Sequence, residues 1–305
     1  MPRSDSKIID CPPGTVQRIG SRAAQIGGGI SVSRLLPTVA RRMIGAWCFL
    51  DHAGPAVFRS GEGLKVGPHP HIGLQTFTWM LEGQVLHRDS LGYKQVVRPG
   101  QVNLMTAGSG ISHTEESLPG QTQLHAVQLW IALPYAERTQ VPAFDHYPEL
   151  PAWQADGFAC TLLVGQYQGQ QAPAQVYSPL LGLDLHCLEA SSHSFSLTPE
   201  FEYGLLIVGG EWLINGEIYQ ENELAYFGRG NASINLTASQ GARAVLLGGA
   251  PYQGEIILWW NFVGHSREEI MQATEDWQNA HPRFGEVTGF AGPRLTAPEL
   301  PWKAL

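Results

Sequence analysis

The chain has 305 residues, more than a single hydrophobic core usually holds, so two domains are expected. Hydrophobic residues make up 43% and charged residues 15%, which excludes a largely disordered chain, and 35 glycines with 21 prolines point to many short strands joined by tight turns. The net charge of -8, from 19 Lys+Arg against 27 Asp+Glu, repels a phosphate backbone and excludes direct nucleic-acid binding; Arg41-Arg42 is only a pair.

The opening residues, MPRSDSKIIDCPPG, hold no apolar stretch long enough for a signal peptide, and no apolar run of 18 residues occurs anywhere. A cytoplasmic protein without membrane contact is the expectation. Cys11, Cys48, Cys160 and Cys187 are scattered and form no C-x-x-C pair, so they read as free, mostly buried thiols.

Strand patterns dominate to about residue 260. Thr76-Phe77-Thr78-Trp79-Met80 alternates polar and apolar, and Val127, Leu129, Ile131 and Leu133 share one face of a later strand. Glu82-Gly83, Arg98-Pro99-Gly100 and Asn215-Gly216 are turn signals. The proline-rich stretch 135–151 has no periodicity and reads as a linker between a domain at 1–134 and another at 152–305. Setting Gly83 beside Gly210 brings WMLEGQVL against LIVGGEWL, a faint repeat that two copies of one barrel would explain. A helix is expected from Ser266 to Ala280. Ser266 and Glu269 have capping-box spacing, and Ile270, Ala273 and Trp277 form one apolar stripe.

Gly63 precedes His69-Pro-His71, and His113-Thr-Glu115 follows 42 residues after His71. Side chains two apart on a strand point to the same face, so each pair aims together into whatever the sheet encloses. Three neutral imidazoles and a carboxylate make a borderline-hard metal site with positions left for water or substrate. A lone buried histidine is more often a core residue than a ligand. His87, His146, His186, His193, His265 and His281 are read that way, and Asp51-His52, adjacent on a strand, point to opposite faces.

H-x-H followed by a later histidine, each after a glycine-rich approach, resembles the cupin pattern. FLDHAGP from Phe49, HPHIGLQT, LEGQVLHRDSLG, MTAGSGISHTE, QLWIALP and the later FVGHSREEIMQATEDWQ resemble the pirin family in particular. The resemblance implies an all-β fold of two cupin (jelly-roll) barrels in tandem with a short C-terminal helix. It implies one Fe(II)/Fe(III) ion, or another divalent transition metal, held in the N-terminal barrel by His69, His71, His113 and Glu115. Many cupins carry a glutamate where this chain has Gln75, which is therefore expected behind the ligands.

In the repeat alignment His69 and His71 fall opposite Ser196 and Thr198, and His113 and Glu115 opposite Ser233 and Asn235, so the C-terminal barrel is expected to be metal-free. His125, Phe77, Trp79, Met105 and Trp130 are the remaining candidates for the pocket wall. The activity implied is that of a metal-dependent quercetin 2,3-dioxygenase, which opens a flavonol ring with dioxygen and releases carbon monoxide, with Glu115 as the base. The alternative implied is a non-enzymatic, iron-dependent redox-sensing regulator that binds a transcription factor or a metabolic enzyme.

Overall fold

The computed structural model describes residues 11–59 and 61–302, so most of the opening segment read for a leader lies outside it. Two compact units emerge. One gathers residues 24–32, 53–148 and those from Gln253 onward; the other gathers those up to Ala23, 33–52 and 149–252. The changeover near residue 148 falls inside the expected linker, but the helix near the C-terminus sorts with the first unit rather than with residues 152–252. No helix among the described residues is long and apolar enough to cross a membrane.

In the first unit we label β1 Lys65–His71, β2 Leu74–Glu82, β3 Val85–Asp89, β4 Lys94–Val97, β5 Val102–Thr106, β6 Ile111–Ser117, β7 Gln123–Ala132 and β8 Ala143–Tyr147. A four-stranded antiparallel sheet has the order β1-β6-β3-β4. The second sheet of this unit is built around β8-β5-β2-β7. Strand β8 lies within the stretch expected to be a linker. Its short run, Ala-Phe-Asp-His-Tyr, gives little periodicity to read, and pairing with β5 is what makes it a strand.

The second unit repeats the plan, with one seven-stranded and one four-stranded sheet. In the smaller sheet β9 (Ser191–Ser196) pairs with β10 (Ser233–Ala238), and Asn215-Gly216 joins strands Trp212–Ile214 and Glu217–Tyr219 as a two-residue turn. Its interior is filled by Phe158, Phe195, Tyr203, Trp212, Ile234 and Leu236 among others. The repeat alignment needs correcting here. Ser196, Thr198, Ser233 and Asn235 are exposed, while Phe195, Ile234 and Leu236 between them point inward. With a side-chain period of two, a one-residue slip in alignment puts every residue on the wrong face.

After the second unit's sheets come the hairpin β11 (Ile257–Trp259) and β12 (Phe262–Gly264), then α1 (Arg267–Gln278). Ser266 caps α1 by accepting from the Glu269 N–H at 3.2 Å, and Glu269 turns back to accept from the His265 N–H at 2.7 Å. Ile270, Ala273, Thr274 and Trp277 form the buried stripe. All four cysteines are buried, and none is in a disulfide.

Candidate metal centre

Strand pairing builds the site. In the β1–β6 ladder His113 lies opposite His69 and Ile111 opposite His71, so the three imidazoles share one face of the four-stranded sheet. A bulge follows: from His113 to Glu115 on β6 the ladder advances two residues, while on β1 it passes from His69 to Val66. The extra residue falls at Gly67-Pro68, where proline has no N–H to withdraw from a ladder. Gly67 is required by space as well, because a Cβ there would sit 2.6 Å from the Pro293 carbonyl oxygen.

One donor nitrogen from each of His69, His71 and His113 lies within 4.8 Å of the other two, and all three residues are buried. The Glu115 carboxylate stands outside that group, and the residue keeps partial exposure. The His69 ring carries Nδ1 2.9 Å from the Gly67 carbonyl, and His71 carries Nδ1 2.9 Å from the Asn261 carbonyl. A carbonyl only accepts, so both Nδ1 atoms donate and both Nε2 atoms keep a free lone pair. His71 Nε2 faces His113 Nε2 at 3.0 Å. Burial, reinforced by neighbouring imidazoles, holds His71 and His113 well below the ordinary histidine range, and burial takes His69 down to about 4. Near neutral pH the cluster is therefore uncharged, as a transition metal requires of imidazole ligands. Burial alone raises the Glu115 carboxyl to about 7.

Asn261 has a structural cost beside it. It follows Trp260 in the turn between β11 and β12, and Trp260 adopts φ 52°, a left-handed conformation costing on the order of 1 to 3 kcal/mol outside glycine. The C-terminal hairpin thus supplies the acceptor that fixes the His71 ring, a role the sequence reading did not give it.

The other expected wall residues divide between two faces of the neighbouring sheet. Trp130 and Met105 both lie opposite Thr76, so they share a face, and the Trp130 ring meets His71 edge-on at 5.2 Å. Phe144, opposite Met105, stacks on His87 at 4.3 Å and 14°. Gln75, Phe77 and Trp79 pair with Ile131, Leu129 and Val127, so they point to the opposite face and do not join Trp130 in one wall. Gln75 donates to Thr106 Oγ1 at 2.9 Å there. His125 sits at a register shift opposite Glu82, away from the imidazoles. Strand parity is the reason, since one strand cannot turn consecutive side chains the same way. Two residues along β2 from Thr76, on the Trp130 side, Thr78 donates to Gln128 Oε1 at 2.8 Å, while Asn103 meets His146 at 2.7 Å.

Two residues read as ordinary core or not read at all belong to the site. His87 Nδ1 lies 3.3 Å from His113 Nδ1, and His87 Nε2 lies 3.0 Å from Asp89 Oδ2. The available signal was spacing: His87-x-Asp89 has the same two-residue interval as His69-x-His71 and His113-x-Glu115.

Comparison with known proteins identifies the family. The pirin family profile matches residues 29–131, and the profile of the pirin C-terminal cupin domain matches residues 182–285. A Pseudomonas aeruginosa protein named "Putative quercetin 2,3-dioxygenase" is 60% identical over 301 residues, covering 98% of this chain and 96% of that one. A pirin-like protein of Caulobacter vibrioides is 38% identical over 269 residues, covering 85% of this chain and 92% of that one. The crystal structure of a quercetin 2,3-dioxygenase from Acinetobacter baumannii superposes with a TM-score of 0.93 at 48% identity, covering 95% of this chain and 97% of that one. The chain is a tandem cupin protein and belongs to the pirin family.

Proposed function

We propose that this chain is a mononuclear iron dioxygenase that opens the ring of a flavonol such as quercetin. The observation that carries the reading is the convergence of His69, His71 and His113, uncharged and buried, with two of their Nε2 lone pairs directed by backbone carbonyls. A cation fits between donors of this kind, and Glu115 is the proposed fourth ligand. When bound, iron supplies a Lewis-acidic, redox-active centre for a hydroxylated aromatic and dioxygen. Both oxygen atoms enter the product and one ring carbon leaves as carbon monoxide.

The chain's own residues have three tasks in this scheme. Glu115 takes the proton of the flavonol 3-hydroxyl, because its ionised carboxylate can accept a proton that coordination of the hydroxyl to a bound cation would loosen. Trp130, edge-on to His71, gives an apolar aromatic wall beside the imidazoles, suited to an aromatic ring. Thr78, Gln128 and Asn103 offer hydroxyl and amide groups further along the same face. The test is a spectrophotometric assay of flavonol loss by iron-loaded protein in the presence of dioxygen. If flavonol is untouched, the enzyme reading falls and the redox-sensing regulator replaces it.

Metal stoichiometry near one per chain is expected, since apolar side chains fill the interior of the second unit. Elemental analysis near two per chain would contradict this. The pH profile tests Glu115 as a ligand. Its carboxyl is raised, so below about 7 it holds a proton that the metal must displace, whereas the depressed imidazoles stay free of protons to lower pH. Affinity is therefore expected to fall about tenfold per pH unit from 7 toward 5. A flat profile over that range would leave Glu115 outside the ligand set.

A further inference from the structure

We infer that His87 and Asp89 form a proton-ordering relay that keeps His113 in the tautomer able to bind metal; the inference rests on the three-imidazole reading above. His69 and His71 have their tautomers fixed by backbone carbonyls, but His113 does not. Its Nδ1 faces another imidazole nitrogen, His87 Nδ1, at 3.3 Å, and either could carry the hydrogen. The choice decides what the His113 Nε2 can do. With the hydrogen on Nδ1, Nε2 offers a lone pair to a metal. With the hydrogen on Nε2, that atom instead donates to His71 Nε2 at 3.0 Å, and the two ligands satisfy each other.

Asp89 breaks the tie. Its Oδ2 lies 3.0 Å from His87 Nε2, and a carboxylate can only accept, so a neutral His87 carries its hydrogen on Nε2. His87 Nδ1 is then an acceptor, and His113 must donate to it from Nδ1. The order runs His113 to His87 to Asp89, and it leaves His113 Nε2 bare. The outer end is held rigidly. Asp89 Oδ1 accepts the N–H groups of Leu91 at 2.9 Å and Tyr93 at 3.0 Å, across a turn in which Gly92 adopts φ 94°. His87 and Asp89 are both buried, and the Phe144 ring stacked on His87 fixes its plane. The stretch HRDSLG thus supplies two inward side chains at strand spacing, His87 and Asp89, and then the turn that clamps the carboxylate. His87 and Asp89 are positioning residues acting through His113.

The test uses the full-length protein stripped of metal, with zinc(II) as the probe in a chelator competition. In Asp89→Asn, Oδ1 can keep the Leu91 and Tyr93 bonds while the amide N–H now donates to His87 Nε2, which reverses the whole order. His87→Leu removes the acceptor, whereas His87→Asn places an amide oxygen close to the position of Nδ1. Zinc affinity should fall about 10- to 100-fold in Asp89→Asn and His87→Leu, with His87→Asn recovering most of it. Imidazole 15N spectra of the metal-free protein should show His113 protonated at Nδ1 in the wild type and at Nε2 in Asp89→Asn. A wild-type His113 protonated at Nε2 overturns the relay, as does unchanged zinc affinity in Asp89→Asn and His87→Leu, or equal loss in all three variants. If the wild type binds no zinc at all, the metal-site reading itself fails and the relay falls with it, whereas the other outcomes leave that reading in place.

Discussion

His69→Ala and His113→Ala are each expected to yield a folded protein that no longer retains its metal. Each substitution removes one of three converging donors, and among the described residues no further histidine or cysteine joins the group to take its place. The loss of affinity should exceed the 10- to 100-fold that follows removal of an outer partner. The fold should survive, because the imidazoles project from one face of a sheet whose ladders are made by the backbone. His125→Ala is the control: it lies at a register shift opposite Glu82, away from the imidazoles, and should keep full metal content. Elemental analysis after desalting, with circular dichroism on the same samples, reads both properties. Full occupancy in either ligand variant means the site is misassigned.

Glu115→Gln is expected to separate proton transfer from metal binding. The amide keeps the size and one oxygen donor, but cannot accept the proton of a hydroxylated substrate. Three imidazoles remain, so part of the metal should stay, although losing an anion must weaken it. Turnover per bound metal should fall about 100- to 10,000-fold, the usual effect of removing a general base. Normalising the rate to measured metal is essential, since lower occupancy alone would imitate the result. A wild-type rate per metal would make Glu115 a spectator and move the base elsewhere. His125 would be poorly placed to replace it, given its position opposite Glu82, at the other end of the β2–β7 ladder from Trp130 and Thr76.

The same substitution bears on the protonation state of the resting site. Burial raises Glu115 to about 7 when no cation is near, and a bound cation would pull it back toward the ordinary carboxylate range. Glu115→Gln removes that group, so the slope of metal affinity below pH 7 should disappear along with the catalytic loss. Retention of the slope in Glu115→Gln would assign it to another group.

The sequence by itself determined the elements whose rule is local. The two-residue spacing of His69 with His71 and of His113 with Glu115 put each pair on one strand face, because a strand's side-chain period is a property of its own backbone. The Ser266 cap and the stripe of Ile270, Ala273 and Trp277 were legible for the same reason, as was the Asn215-Gly216 turn. Tertiary structure decided whatever depended on register between strands distant in sequence. Only pairing showed that Trp130 and Met105 share a face that Gln75, Phe77 and Trp79 do not. Only the bulge at Gly67-Pro68 showed how His69 gains its carbonyl partner, and only the return of the chain at Asn261 supplied one for His71. His87 and Asp89 carried a readable spacing, but nothing along the chain says which imidazole they address. Hydrogen-bond order is set by the atoms brought within about 3 Å, and that proximity exists only after the strands have paired.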